Sequence, residues 1–226
     1  MMALQQVAFD IETTGFDVDD EVTVVGFAVP MGVRVFVQTG GRPVETVGDD
    51  VTAGIEDEAG TLVNVSTHSS EQGLLAAVSS FVTERLAGDD VLLVAYNGER
   101  WRGGFDLPFL RTRFARLDIP WPFTDVPYAD VMPLVTKRFN TTVDGDEHGD
   151  LDTAYDVLCD GTYGELDPFE ESAEAVTAFE NGEFAALASH NVADVLRTRD
   201  LGRLAEQYCS KSEFNVKSLT PTRSTQ

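Results

Sequence analysis

The chain has 226 residues, 42% of them hydrophobic, and its 39 acidic against 16 basic residues give a formal net charge of -23. This length can bury one good core, so a single domain with an insertion is expected. No apolar run reaches the roughly 18 residues that a membrane helix needs, and Met1 to Gln6 has neither a basic patch nor an apolar signal core, which predicts a cytoplasmic protein without a membrane partner.

An acid-rich chain whose lysines are Lys137, Lys211 and Lys217 suits a cytoplasm at molar salt, where screening acts within about 3 Å, and the composition reads as halophilic. An acidic protein that avoids or mimics nucleic acid is the rival reading. Cys159 and Cys209 stand at neither metal-ligand nor redox spacing and read as reduced thiols.

The stretch Val7-Ala8-Phe9-Asp10-Ile11-Glu12-Thr13-Thr14-Gly15 begins as a buried strand. Side chains alternate along a strand, so Val7, Phe9 and Ile11 share one face while Ala8, Asp10 and Glu12 share the other. Neighbouring half-buried carboxylates repel each other and lose hydration unless a proton or a cation sits between them. Hard divalent cations such as Mg²⁺ favour such oxygens. Were the strand to stop at Phe9, both acids would be solvated loop residues.

Residues 22–29 and 33–37, separated by Pro30-Met31-Gly32, extend the strand into an antiparallel meander. Residues 40–60 are rich in Gly, Asp and Glu and read as an acidic surface insertion, followed by a short strand over 62–67. Ser69 and Gln72 form a capping-box pattern ahead of a helix over 71–86. Val91 to Tyr96 reads as a buried parallel strand. Strands followed by helix, strand and helix predict a mixed sheet with helices packed on it.

Gly103 to Leu110 leads into a helix running through Arg116, with Pro108 tolerated in its first turn. Asp106 lies near that helix start, where capping alone would justify a carboxylate. Arg100, Arg102, Arg111, Arg113 and Arg116 cluster here and suit the approach of an anionic substrate, with about half of them expected to pair with surface acids instead.

A strand near 128–130 and short helices over 131–139, 151–158 and 173–179 follow, with an acidic loop over 144–150 that carries a solvated His148. The last helix spans 184–208. In it His190 and Asp194, four residues apart, share a face with Leu187, Leu201 and Tyr208 that is aimed at the protein body. A mutually satisfied His–Asp core pair is the alternative to function there. The polar segment after Cys209 is expected to fray.

Taken together, FDIETTG, YNGERWRGGFDLPFL and HNVADVLRT resemble the three motifs of the DEDD superfamily of 3′-to-5′ exonucleases, which includes polymerase proofreading domains and RNA-processing enzymes. The resemblance covers residues 7 to 204 and leaves the 40–60 insertion unaccounted for. The second motif is longer than the family spacing. The third motif of the family carries Tyr four residues before the Asp, or His five before it; here His190 is four before and Ser189 five before Asp194. The chain is thus nearest the tyrosine-type exonucleases of B-family polymerases, with His190 in the place of the tyrosine.

The resemblance implies an α/β, ribonuclease H-like domain over residues 1–209, built on a mixed five-stranded sheet flanked by helices, with 210–226 as a polar tail. It implies two Mg²⁺ or Mn²⁺ ions held by Asp10, Glu12, Asp106 and Asp194. Asp10 would bridge both ions, Glu12 and Asp194 would hold the ion of the attacking water, and Asp106 would help hold the ion of the leaving group. His190, near its ordinary pKa of about 6.5, would orient or deprotonate the water. Thr13, Thr14 and Asn97 would position the terminal nucleotide, beside Arg100 and Arg102.

The implied partner is a single-stranded 3′ end of DNA or RNA, with a protein partner in replication, repair or RNA processing. A ribonuclease H-type endonuclease and a catalytically idle nucleic-acid-binding module of the same fold are the alternatives.

Overall fold

The computed structural model describes residues 4–43, 49–87, 90–99, 105–161, 163–171 and 173–223. Strands β1 (Gln5–Thr13), β2 (Val22–Val29) and β3 (Gly32–Gln38) form the expected antiparallel meander. The β2–β3 turn requires glycine, because Gly32 has φ of 145° and a Cβ there would lie 2.2 Å from the Leu62 carbonyl oxygen.

The acidic insertion is not a surface loop. Part of it folds as helix α1 (Asp49–Ala59), whose Ile55 and Ala59 reach the core, and the chain then enters β4 (Val63–His68), parallel to β3. Two apolar positions four residues apart in an otherwise acidic stretch are enough to dock a helix, although too sparse to read as a periodic pattern. Helix α2 (Glu71–Arg85) is capped by Ser70, whose hydroxyl accepts from the Gly73 amide at 3.2 Å, and not by a capping box from Ser69.

Strand β5 (Val91–Ala95) runs parallel to β1, helix α3 (Asp106–Arg116) follows, and β6 (Pro127–Asp130) runs parallel to β5. After α4 (Met132–Arg138), the expected acidic loop contains a small hairpin of β7 (Thr142–Val143) and β8 (Asp146–Glu147), turned at Asp144 and Gly145 with φ of 54° and 97°. Helices α5 (Leu151–Cys159), α6 (Ala173–Asn181) and α7 (Phe184–Tyr208) complete the helical layers. Tyr208, expected to face inward, is 73% exposed, because the last turn of α7 runs past the core.

The segment 210–223 does not fray. Its Lys217–Ser218 forms β9, antiparallel to β6, while Trp121 Nε1 donates to the Leu219 carbonyl at 3.0 Å and Leu219 is buried. The result is an α/β fold on a seven-stranded mixed sheet of order β4-β3-β2-β1-β5-β6-β9. The five strands implied by the resemblance are joined at one edge by β4, which matches the short strand expected over 62–67, and at the other by β9, which was not expected.

Helices cover both faces, as a sheet containing parallel strands requires. On one face, Val7, Phe9, Ile11, Val25 and Phe27 pack with Leu74, Val78, Leu107 and Phe114 of α2 and α3. On the other, Ala8, Val24, Ala28 and Val35 pack with Leu187, Val192, Val195 and Leu201 of α7. Among the described residues, no helix is long and apolar enough to cross a membrane.

Candidate metal centre

The alternation along β1 decides where its acids point. Phe9 and Ile11 belong to the core layer under α2 and α3, whereas Ala8 belongs to the layer under α7, and Asp10 and Glu12 continue the Ala8 face. The pairing of β1 with β5 ends at Ala8 with Val94, so both acids lie at the carboxyl ends of two parallel strands. Ligands of open α/β sheets collect there.

Helix α7 presents a polar stripe to those acids. His190, Asn191, Asp194, Arg197 and Thr198 recur at helical spacing between Leu187 and Leu201, and of these His190, Asn191, Arg197 and Thr198 are buried. The Asn191 amide donates to Asp10 Oδ2 at 2.9 Å. Gly26, opposite Asp10 in the β1–β2 register, makes the room: a Cβ on it would lie 1.9 Å from Asn191 Oδ1.

His190 is fixed from both sides of its ring. Nδ1 donates to Asp167 Oδ1 at 2.7 Å, and Nε2 faces Glu12 Oε1 and Asp194 Oδ2, each 3.7 Å away. Phe169 packs against the imidazole with ring centroids 5.1 Å apart. Arg197 extends the network: its Nη1 lies 2.7 Å from Asp167 Oδ2, 2.7 Å from Asp194 Oδ1 and 2.8 Å from Asp152 Oδ1.

The fourth acid arrives from the other layer. Asp106 is the first residue of α3, after an N-cap, Phe105, that makes no side-chain capping bond. Asp106 is only 8% exposed and its Oδ2 has no hydrogen-bond partner among the described residues, so capping does not account for it.

The electrostatics show the convergence of all four acids. Burial, then the charges of Glu12, Asp106 and Asp194, hold the Asp10 carboxyl well above its ordinary pKa. Burial, then Glu12, Asp130 and Asp194, do the same to Asp106. Burial pushes Glu12 up to about 7 even though the neighbouring His190 opposes it. Burial also raises Asp194, against His190 and Arg197. Charges that each group cannot sustain next to the others are what a divalent cation would neutralise.

Glu12, His190 and Asp194 offer ligand atoms within 4.8 Å of one another and can hold a metal ion, with Asp10 and Asp106 beside them. Asp152, Asp167 and Asp194 form a second cluster of this size. The Arg197 guanidinium already bridges all three, so the space between them is occupied by a side-chain cation that offsets part of their charge.

Of the residues singled out from the sequence, Glu12, His190 and Asp194 stand within ligand distance of one another, and Asp10 and Asp106 lie close enough to feel the charges of that group. The charge state expected of His190 is not found. Burial alone would lower its pKa, but the hydrogen bond to Asp167 and the charges of Asp194 and Glu12 outweigh it and raise it from 6.5 to about 10. A pKa raised in this way works against a role for the imidazole as a base at neutral pH.

The expected nucleotide-binding residues fare unevenly. The Thr13 hydroxyl donates to the Gly15 carbonyl at 2.8 Å, and the Thr14 hydroxyl donates to Asp20 Oδ1 at 3.2 Å while accepting from the Glu21 amide at 3.0 Å, so both organise the loop after β1. Asn97, with φ of 67°, gives its amide to Asp130 Oδ1 at 3.0 Å and lines a cleft of about 380 Å³ together with Glu99, Asp130, Lys137 and Lys217. Asp130 borders both this cleft and Asp106.

Arg100 and Arg102 lie outside the described residues. The other arginines of that cluster are engaged to different degrees. Arg113 pairs with buried Glu71 at 2.6 Å, Arg116 with Asp19 at 2.7 Å, and Arg111 lies 5.5 Å from the centre of the Trp121 ring.

Asn191, Asp167 and Arg197 were not singled out from the sequence. Asn191 and Arg197 had a signal, namely inward helical phase with His190 and Asp194. Asp167 had none, because a loop residue beside Pro168 reads as punctuation. No protein-family model and no curated protein matches this sequence.

Proposed function

We propose that the protein is a divalent-cation-dependent 3′-to-5′ exonuclease that hydrolyses nucleic-acid phosphodiester bonds. The observation that carries this reading is the meeting of Asp10, Glu12, Asp106 and Asp194 from β1, α3 and α7, with each carboxyl displaced toward its protonated form. The motif resemblance and the geometry agree on the same acids. The contiguous strands β3-β2-β1-β5-β6, mixed and flanked by helices, support a ribonuclease H-like core inside the wider sheet.

When bound, a pair of Mg²⁺ or Mn²⁺ ions would supply an activated water and neutralise the phosphoryl transition state. Glu12 and Asp194 would hold one ion, Asp106 the other, and Asp10 would contribute to both. Asn191 orients the Asp10 carboxylate, and Arg197 holds Asp194 Oδ1 so that Oδ2 turns toward His190 and Glu12. The substrate would be a single-stranded 3′ end of DNA or RNA. Phosphate contacts weaken steeply with salt, so in a halophilic cytoplasm binding would rest on the ions more than on surface lysines.

The test is digestion of 5′-labelled and circular single strands, DNA and RNA, with Mg²⁺ or Mn²⁺ in about 2 M KCl, where surface charge repulsion is screened. The expected result is shortening of linear strands from the 3′ end, intact circles, and no hydrolysis by Asp10→Asn, which should fold and melt no lower than the parent because it relieves carboxylate repulsion. Cut circles would mark an endonuclease. Absence of metal-dependent hydrolysis, or full activity in Asp10→Asn, would overturn the reading.

A further inference from the structure

We infer that His190 is itself a metal ligand, so that the centre is a mixed nitrogen and oxygen site selective for first-row transition ions such as Mn²⁺ over Mg²⁺. This rests on the acids being a divalent-cation site, as proposed above, and adds to it the identity of a ligand and the class of ion.

The placement of the ring supports it. Nε2 is directed between Glu12 Oε1 and Asp194 Oδ2 at 3.7 Å from each, too long for a hydrogen bond. Two donors that each stand about 2.1 Å from a shared ion can be up to about 4.2 Å apart, so neither pair needs to move to accept one. The opposite nitrogen is committed, since Nδ1–H donates to Asp167 at 2.7 Å. A metal-bound histidine ordinarily has this partner, which fixes the tautomer and directs the other nitrogen to the ion.

Asp167 is in turn held by Arg197 at 2.7 Å, and Phe169 packs on the ring, so the imidazole is set in place before any ion arrives. His190 is 6% exposed, and Asp106 beside the same acids keeps a buried carboxylate oxygen without a partner among the described residues. Mg²⁺ favours a shell of oxygens and water, whereas imidazole shifts preference toward transition ions.

The experiment is pulsed electron paramagnetic resonance of the whole chain loaded with Mn²⁺, with calorimetric titrations of Mn²⁺ and Mg²⁺ alongside. Nitrogen modulation from a bound imidazole is expected in the parent and lost in His190→Gln. Asp167→Asn, which weakens the support of the ring, should reduce Mn²⁺ affinity by about 10- to 100-fold while Mg²⁺ binding changes much less.

The parent spectrum requires no variant to fold. Bound Mn²⁺ without nitrogen modulation would overturn the assignment of His190 and leave the carboxylate site standing. No bound Mn²⁺ at all would overturn both.

Discussion

Gly26→Ala is the substitution whose outcome depends most directly on the packing between α7 and β1. In an ordinary strand the change would stabilise slightly, because alanine has less freedom to lose on folding. Here the added Cβ would lie 1.9 Å from Asn191 Oδ1, 3.0 Å from its Cγ and 3.2 Å from Val195 Cγ1. Both neighbours belong to a helix buried against the sheet, so Asn191 must leave its place and release Asp10.

Overpacking of this kind costs about 1 to 3 kcal/mol, and losing a hydrogen bond to a charged group about 1.5 to 3 kcal/mol, so a net loss of about 2 to 5 kcal/mol is expected after the small strand gain. For a domain of this size that lowers the melting temperature by about 4 to 20 °C. The assay is thermal unfolding followed by circular dichroism, on Gly26→Ala, Asn191→Ala and the double variant. If the clash is the cause, the double variant is no less stable than Asn191→Ala alone, within about 0.5 kcal/mol. A Gly26→Ala protein that melts within about 2 °C of the parent would refute the packing described here.

Two further outcomes follow from the charges. The metal-free protein should lose stability as pH rises: a raised carboxyl stabilises the fold below its unfolded pKa and ceases to do so as pH passes its folded value, a window from 4.5 to about 7 for Glu12. A displacement of that size corresponds to about 3 kcal/mol. His190 acts with the same sign between 6.5 and about 10, so urea midpoints should fall from pH 5 to pH 9, and saturating Mn²⁺ should remove most of the fall; a rise with pH would contradict it. Glu71→Ala strands buried Arg113 and the Val22 amide, which Glu71 Oε1 accepts at 2.9 Å, and should cost about 3 to 5 kcal/mol in urea unfolding, whereas a loss below about 1 kcal/mol would mean that water replaces the pair.

What could be read from the sequence was whatever repeats over short range. The alternation of β1, the bounds of α7 and the shared face of His190 and Asp194 follow from local periodicity, and the structure keeps them. The docking of α1 through Ile55 and Ala59, and of the tail through Leu219 and Trp121, depends on surfaces supplied by distant segments, which no local pattern announces. The site divides in the same way. Its acids stand in motif order, but Asp167 enters through a partner 23 residues away, and the charge state of His190 is decided by that partner. Asn191 was legible only as a polar residue with inward phase, and the cavity that Gly26 leaves for it crosses from one strand to a helix far along the chain.

Arg197 gives the protein a resident counter-ion. Because its guanidinium bridges Asp152, Asp167 and Asp194 through one nitrogen, it pins α5 and the segment before α6 to α7 and offsets part of the negative charge of that corner. Glu12 faces the His190 ring, whereas Asp10 and Asp106 have no basic side chain paired with them among the described residues, so an ion taken up beside them would meet a corner already fastened together.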